Sequence, residues 1–376
     1  MNHKHLLAGV AAAAIMAAGN AYAGAHASVE DQVKANAAAI DALSKEVEAL
    51  KAGGDGVAKG VKGVSLKVSG QVNRAMMFVD DANNNAGFSF VDNDASSTRV
   101  RWDASANISD TTKVGTRLEM EMESNTSAAA VPGNEGGGDA FAARHAYVYI
   151  QGGFGTLTTG QQGEANEGIL HSSFNFASLA AINPEDTTGI GNAGVNFLSF
   201  GDGGRQDSIR YDTPSFGGAK ASISTNEDGE VNAALRYGGK VAGVGVLAGL
   251  GWEAGTGNDN QIIAGSMGIN LGVIAVNGSF GIEVGTGNQA GGEDRFYYGL
   301  GLAHKGNYVD MGATSIAIQT LQNNGGFDGS GNVHSYSIGL VQGVAPGADA
   351  YAQIALHGGT AAGNAVASMV GMRVRF

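Results

Sequence analysis

From Val64 to the end of the chain, apolar and polar residues alternate with a period of two, the repeat of strands with one apolar and one polar face. Between 97 and 109, Val100, Trp102, Ala104, Ala106 and Ile108 alternate with Arg99, Arg101, Asp103, Ser105 and Asn107. Between 112 and 123, Val114, Thr116, Leu118, Met120 and Met122 alternate with Lys113, Arg117, Glu119, Glu121 and Glu123. The last segment sets Val366, Ser368, Val370, Met372, Val374 and Phe376 against Ala367, Met369, Gly371, Arg373 and Arg375. Sixteen strands are predicted, near 64–79, 97–109, 112–123, 140–151, 155–162, 206–213, 218–225, 230–238, 240–253, 260–270, 273–284, 294–304, 307–321, 333–343, 348–358 and 365–376.

A soluble sandwich alternates too, so the connections decide. Links after even-numbered strands are mostly short: Ser109-Asp110-Thr111, Gly152-Gly153-Phe154, Ser215-Phe216-Gly217, Gly238-Gly239, Asn270-Leu271-Gly272 and Lys305-Gly306. Links after odd-numbered strands are mostly longer and rich in Gly, Asn and Asp, as in 255–260, 285–293 and 323–332. Short turns at one end and long loops at the other are the pattern of an outer-membrane barrel, with turns periplasmic and loops outside. The fold expected is all-β, a sixteen-stranded antiparallel transmembrane barrel over 64–376. An even count closes the sheet and leaves no edge for lipid to solvate.

Residues 1–63 break this rhythm. Lys4, an apolar run from Leu6 to Ala18 and Ala21-Tyr22-Ala23 read as a signal peptide (1–23) cleaved after Ala23. The run is too short for a membrane-spanning helix, which needs ~20 residues. Over 24–53, Val29, Val33, Asn36, Ile40, Leu43, Val47 and Leu50 step by four and three, as in a short periplasmic coiled coil or an amphipathic helix. β-Branched a positions with Leu at d favour dimers; Asn36 at d resembles the polar layers of some trimeric bacterial stalks. A Gly/Lys-rich linker (54–63) follows.

Composition narrows the function. The chain has 62 glycines among 376 residues, roughly double the usual ~7%. A net charge of −13 argues against nucleic acid as a partner. With no cysteine there are no disulfides and no thiolate metal or redox sites. The eight histidines are scattered, no HExxH spacing occurs, and Gly255-Thr256-Gly257 opens no helix. No enzyme, cofactor or metal is expected. Asp80, Asp81, Asp92 and Asp94, read as one loop, suit a solvated acidic surface or a calcium or lipopolysaccharide contact. Tyr147, Tyr149, Tyr211, Tyr237, Tyr298 and Tyr336 are candidates for the interfacial aromatic girdles.

Several motifs carry a resemblance: Ser69-Gly70-Gln71-Val72-Asn73-Arg74, the run 153–161 (GFGTLTTGQ), the run 207–216 (DSIRYDTPSF) and the terminal Phe376. Across 64–376 the chain resembles the general Gram-negative porins. The resemblance implies a homotrimer in outer-membrane lipid and lipopolysaccharide, passing ions and small hydrophilic solutes by passive diffusion. It also implies that Phe376 is read by the barrel-assembly machinery. In that family the third external loop folds into the pore, and its carboxylates face arginines across a constriction. The corresponding loop here is 163–205, with Glu164, Glu167, Glu185 and Asp186. Arg99, Arg101, Arg117 and Arg210 then form the basic wall, with Glu119 and Glu121 as acidic lumen neighbours. Such opposed charges set a transverse field, and the acidic balance favours mild cation preference. Arg74 shares the parity of Val64, Leu66, Val68 and Val72. It therefore points outward, where the resemblance puts the trimer contact. A solute-specific channel would need a track of lumen aromatics, and the parities show none. A secreted β-rich adhesin is the other alternative.

Overall fold

The computed structural model describes residues 63–80, 86–122, 124–127, 141–171, 201–254, 261–284, 295–324, 332–359 and 364–376. The predicted signal peptide, coiled coil and nearly all of the linker lie outside them, as do Glu185 and Asp186. The strands are β1 (Ser65–Asp80), β2 (Ala86–Asp92), β3 (Arg99–Ser109), β4 (Thr112–Met122), β5 (Phe141–Gly152) and β6 (Gly155–Gly163). They continue as β7 (Arg205–Asp212), β8 (Ala219–Asn226), β9 (Val231–Val241), β10 (Val244–Ala254), β11 (Gln261–Asn270) and β12 (Ile274–Val284). The last are β13 (Arg295–Val309), β14 (Gly312–Asn324), β15 (Val333–Ala345), β16 (Ala348–Gly359) and β17 (Ala365–Arg375).

Apart from β2 and β3, consecutive strands pair antiparallel, and β17 closes on β1 with Gln71 opposite Arg375. Phe376 extends the closure: its N–H and C=O bond the C=O and N–H of Gly70 at 3.0 and 2.9 Å. Seventeen segments occupy sixteen barrel positions, because β2 and β3 are the two halves of one strand. Both pair with β1, β2 from Arg74↔Asp92 upward and β3 from Gln71↔Arg99 downward. Three steps along β1 thus match seven along its partner, and four residues are surplus. Asp92 and Asp94, read in the sequence as loop residues, lie at this junction.

Parity follows the sequence. Val72, Met76, Phe88, Phe90, Leu118, Val148, Leu300, Ile318, Ile338, Ile354, Val370 and Met372 are exposed on the outer face. An apolar surface this continuous requires lipid or another subunit against it. Aromatics gather at its two rims: Phe88, Phe90, Phe141, Tyr298 and Tyr336 toward the long connections, and Phe154, Phe216, Tyr308 and Phe376 toward the short turns. Tyr211 also sits at the short-turn rim, where its hydroxyl donates to the Phe154 carbonyl at 2.6 Å.

Two predicted turns move. Gly238-Gly239 lies inside β9, opposite Leu247 and Val246, and the turn is Ala242-Gly243, both with positive φ (50° and 84°). That is the two-residue primed hairpin whose twist matches the strands. Lys305-Gly306 likewise lies inside β13, and the chain turns at Asp310-Met311. These glycines serve aromatics rather than turns. A Cβ on Gly239 would come within 2.7 Å of the Tyr237 hydroxyl, and one on Gly306 within 2.9 Å of the Tyr308 ring. Each tyrosine, two residues away on the same face, needs the bare backbone beside it.

Candidate functional site: the barrel lumen

The wall formed by β3, β4 and β5 carries a dense charge ladder. Arg99 faces Glu121, Arg101 faces Glu119 and Asp103 faces Arg117 across the β3–β4 pair. The alternation that turns Val100, Trp102 and Leu118 outward turns these side chains inward. Glu119, only 1% exposed, is the hub. Arg101 Nε lies 2.5 Å from it, Arg144 Nε 3.1 Å and Arg99 Nη1 3.5 Å. Arg144 also bonds Glu121 at 2.6 Å, and Arg117 bonds Asp103 at 2.7 Å. Arg144 was not among the expected wall residues. By parity it belongs with Val148 and Ile150 outside, but the register slips there: Glu119 faces His145 and Met120 faces Ala143. This bulge re-aims Arg144 inward.

Beyond the slip β5 alternates regularly, and its odd-numbered residues turn away from the outward Val148. His145 faces Glu119, Tyr147 faces Arg117 and Tyr149 faces Gly115, all on the charged face. Tyr147 and Tyr149 therefore line the lumen instead of a membrane girdle. They form with His145 a stack along β5, with ring centroids 5.7 and 6.4 Å apart. The lumen does contain an aromatic track.

Across the lumen, both ends of the long connection 163–205 are folded inside the barrel. Its entry, residues 164–171, crosses the inner faces of β7 to β11. Arg210 Nη1 donates to the carbonyls of Gly163 and Glu164 at 3.0 and 2.9 Å, and Arg236 Nη2 to that of Glu167 at 2.7 Å. Ile169 is fully buried with Ala234 and Ala264, and Ser266 donates its hydroxyl to the Ile169 carbonyl. Guanidinium donors thus satisfy loop carbonyls that would otherwise lose water on entering the barrel.

Glu164 is 1% exposed and takes bonds from Gly204 N (3.0 Å), Gln206 (2.8 Å) and Asn232 (3.0 Å). Burial raises its pKa above the ordinary glutamate value, and the bond from Gln206 opposes that shift. Glu167 is partly exposed and bonds Arg205 at 2.7 Å. Arg210, besides holding the loop, pairs with Asp212 at 2.9 Å. The expected residues thus fall into two groups: Arg99, Arg101, Arg117, Glu119 and Glu121 on one wall, and Glu164, Glu167 and Arg210 together on the other. Further inward pairs are Arg295–Glu283 and Asp349 with Arg373 and Arg375, at 2.9 and 3.0 Å for the last two. Among the described residues no group of three His, Cys, Asp or Glu is placed to hold a metal ion. Arg74 faces outward as expected, 42% exposed, bonded to the Ser124 hydroxyl at 2.7 Å and 3.6 Å from Asp92.

A charged interior within an apolar exterior is the arrangement of a channel. A sequence profile of the Gram-negative porins matches residues 9–361. The chain belongs to the Gram-negative porin family. Solved structures share the fold over most of the chain. The anion-selective porin of Comamonas acidovorans is 16% identical, with 83% of this chain and 100% of that one covered and a TM-score of 0.58. A loop-deletion mutant of OmpT, an outer membrane protein of Vibrio cholerae, is 13% identical (84% and 100% covered, TM-score 0.59). The outer membrane channel DcaP of Acinetobacter baumannii is 14% identical (85% and 99%, TM-score 0.57). No curated protein matches the sequence. The porin is an outer-membrane protein whose lumen is its functional site, and the adhesin alternative gives way to the closed barrel.

Proposed function

We propose that the porin sieves ions and small hydrophilic solutes by passive diffusion, without a chemical step. Selection occurs at a constriction between the 163–205 loop and the arginines of β3 to β5. The supporting observation is the loop entry inside the barrel, fixed by Arg210 and Arg236 opposite an Arg–Glu ladder. In this reading Glu167, Glu185 and Asp186 supply the acidic side of the field, and Glu164 anchors the loop from its buried position. The Arg99, Arg101 and Arg144 charges are largely cancelled by Glu119 and Glu121, which leaves a mild cation preference. Liposome swelling tests the sieve: swelling rates fall with sugar size in a diffusion pore, and a size-independent rate would refute it.

The β5 stack of His145, Tyr147 and Tyr149 favours a second reading, a solute-specific channel in which apolar sugar or ring faces slide along the aromatic rings. Saturable swelling that a competing solute inhibits would select this reading over simple diffusion.

The porin is further proposed to act as a homotrimer in lipopolysaccharide-bearing membrane, assembled through recognition of Phe376. OmpT of Vibrio cholerae has a structure described as a trimer form. An outward arginine near mid-membrane costs ~2–4 kcal/mol against lipid, and Arg74 avoids that cost at a subunit contact. Replacing Arg74 with Ala is expected to lower the trimer's melting temperature in detergent by several degrees. An unchanged trimer would place Arg74 elsewhere.

A further inference from the structure

The four surplus residues of the second barrel strand do not bulge toward lipid. The run Asn93–Thr98, with a 3-10 turn at Asp94–Ser96, folds into the lumen. Four inward-facing side chains hold it there. Gln71 Nε2 donates to the carbonyls of Ser96 and Ser97 at 2.6 and 2.8 Å, and Asn73 Nδ2 to that of Ser96 at 2.9 Å. Arg99 and Arg373 reach the Ser96 hydroxyl at 2.9 and 3.2 Å. The base is pinned as well: Asp92 Oδ1 accepts from Thr98 N at 2.8 Å, and Asn93 caps the turn through Ala95 N at 3.0 Å. Asn93, Ser96, Ser97 and Thr98 are buried, whereas Asp94 and Ala95 at the tip are half-exposed.

An ordinary bulge inserts one residue and needs no such support. This knuckle leaves the sheet and is fastened on three sides. Its position matters because the barrel is closed. It occupies the second of sixteen positions, while the Ile169–His171 turn of the long loop rests on β10, β11 and β12, the ninth to eleventh. The two are diametrically opposed. Both lie mid-strand, the knuckle against Gln71 and Asn73 of β1 and Ile169 against Ala264 and Ser266 of β11.

We infer that the Asn93–Thr98 knuckle is the second jaw of the pore, so that solutes pass between it and the Ile169–His171 turn, with Asp94 and Ala95 in contact with the passing solute. This deepens the sieving reading and rests on it. The Asp94 carboxylate, with no ion-pair partner among the described residues, gives the jaw a negative tip that admits cations more readily than anions of equal size.

The chain contains no cysteine, so one introduced thiol can be addressed alone. The test is Ala95→Cys in a planar bilayer, recorded before and after a water-soluble trimethylammonium methanethiosulfonate, with labelling verified by mass. Because the same folded channels are compared before and after, a folding defect cannot mimic the effect. Modification is expected to remove roughly a third of the conductance and to move the reversal potential toward anion preference. Asp94→Asn alone should give the same direction of potential shift with little change in conductance. Labelled channels with unchanged current, or a thiol that does not react from water, would overturn the second jaw and leave the diffusion channel standing. Unsubstituted protein that does not conduct would overturn the channel reading itself.

Discussion

Replacing Glu119 with glutamine is expected to swing the porin's permeability several-fold toward anions. The substitution keeps the shape of a buried hub and removes its charge, leaving Arg99, Arg101 and Arg144 with Glu121 alone among them. One unit charge about 8 Å from the ion path, at an effective dielectric constant of about 40, is worth roughly 1 kcal/mol, a several-fold change in relative permeability. The effect should shrink as salt shortens the screening length. Reversal potentials in potassium chloride gradients measure it. A potential equal to that of the unsubstituted protein at low salt would mean that the ions do not pass this wall.

The second large effect is expected at the loop entry. Arg210 gives the loop two charge-assisted bonds, to the carbonyls of Gly163 and Glu164. Each such bond contributes about 1.5–3 kcal/mol, so Arg210→Ala should free the entry segment. The result should be a larger and noisier single-channel conductance and faster uptake of sugars near the size limit. The ladders of β6 and β7 do not depend on that side chain, so the heat-modified shift of the barrel on gels should remain. Arg210→Lys, which keeps the charge but has a single donor nitrogen in place of the planar fork, should restore part of the quiet current. A quiet conductance of unchanged size in Arg210→Ala would show that the loop is held without this clamp.

Much of the architecture was legible because a barrel wall imposes one rule on every strand: apolar out, polar in, short turns at one rim. That rule found sixteen strands, and the inward parities of Arg99, Arg101, Arg117, Glu119 and Glu121 follow from it directly. The failures occur where the backbone departs from a regular ladder. Asn93–Thr98 is a polar run with no periodicity, and it makes the upper half of its strand, Ala86–Asp92, look like loop. One extra residue on β5 hid Arg144, because parity is only as good as register. Residue type alone puts Tyr147 and Tyr149 in a girdle, whereas their cross-strand partners Arg117 and Gly115 fix the inward face. Gly238-Gly239 and Lys305-Gly306 carry the composition of turns, yet the space they provide is taken by Tyr237 and Tyr308. Arg236 could not have been singled out from sequence, since its role comes from a carbonyl 69 residues away in the chain.

The most direct test of the account is single-channel recording of the purified, folded protein in a planar lipid bilayer. A water-filled barrel predicts discrete current steps that are ohmic at low voltage and scale with the conductivity of the bathing salt. Heat-modifiable β-barrel protein that inserts into the membrane and leaves the current at the level of bare lipid would contradict it.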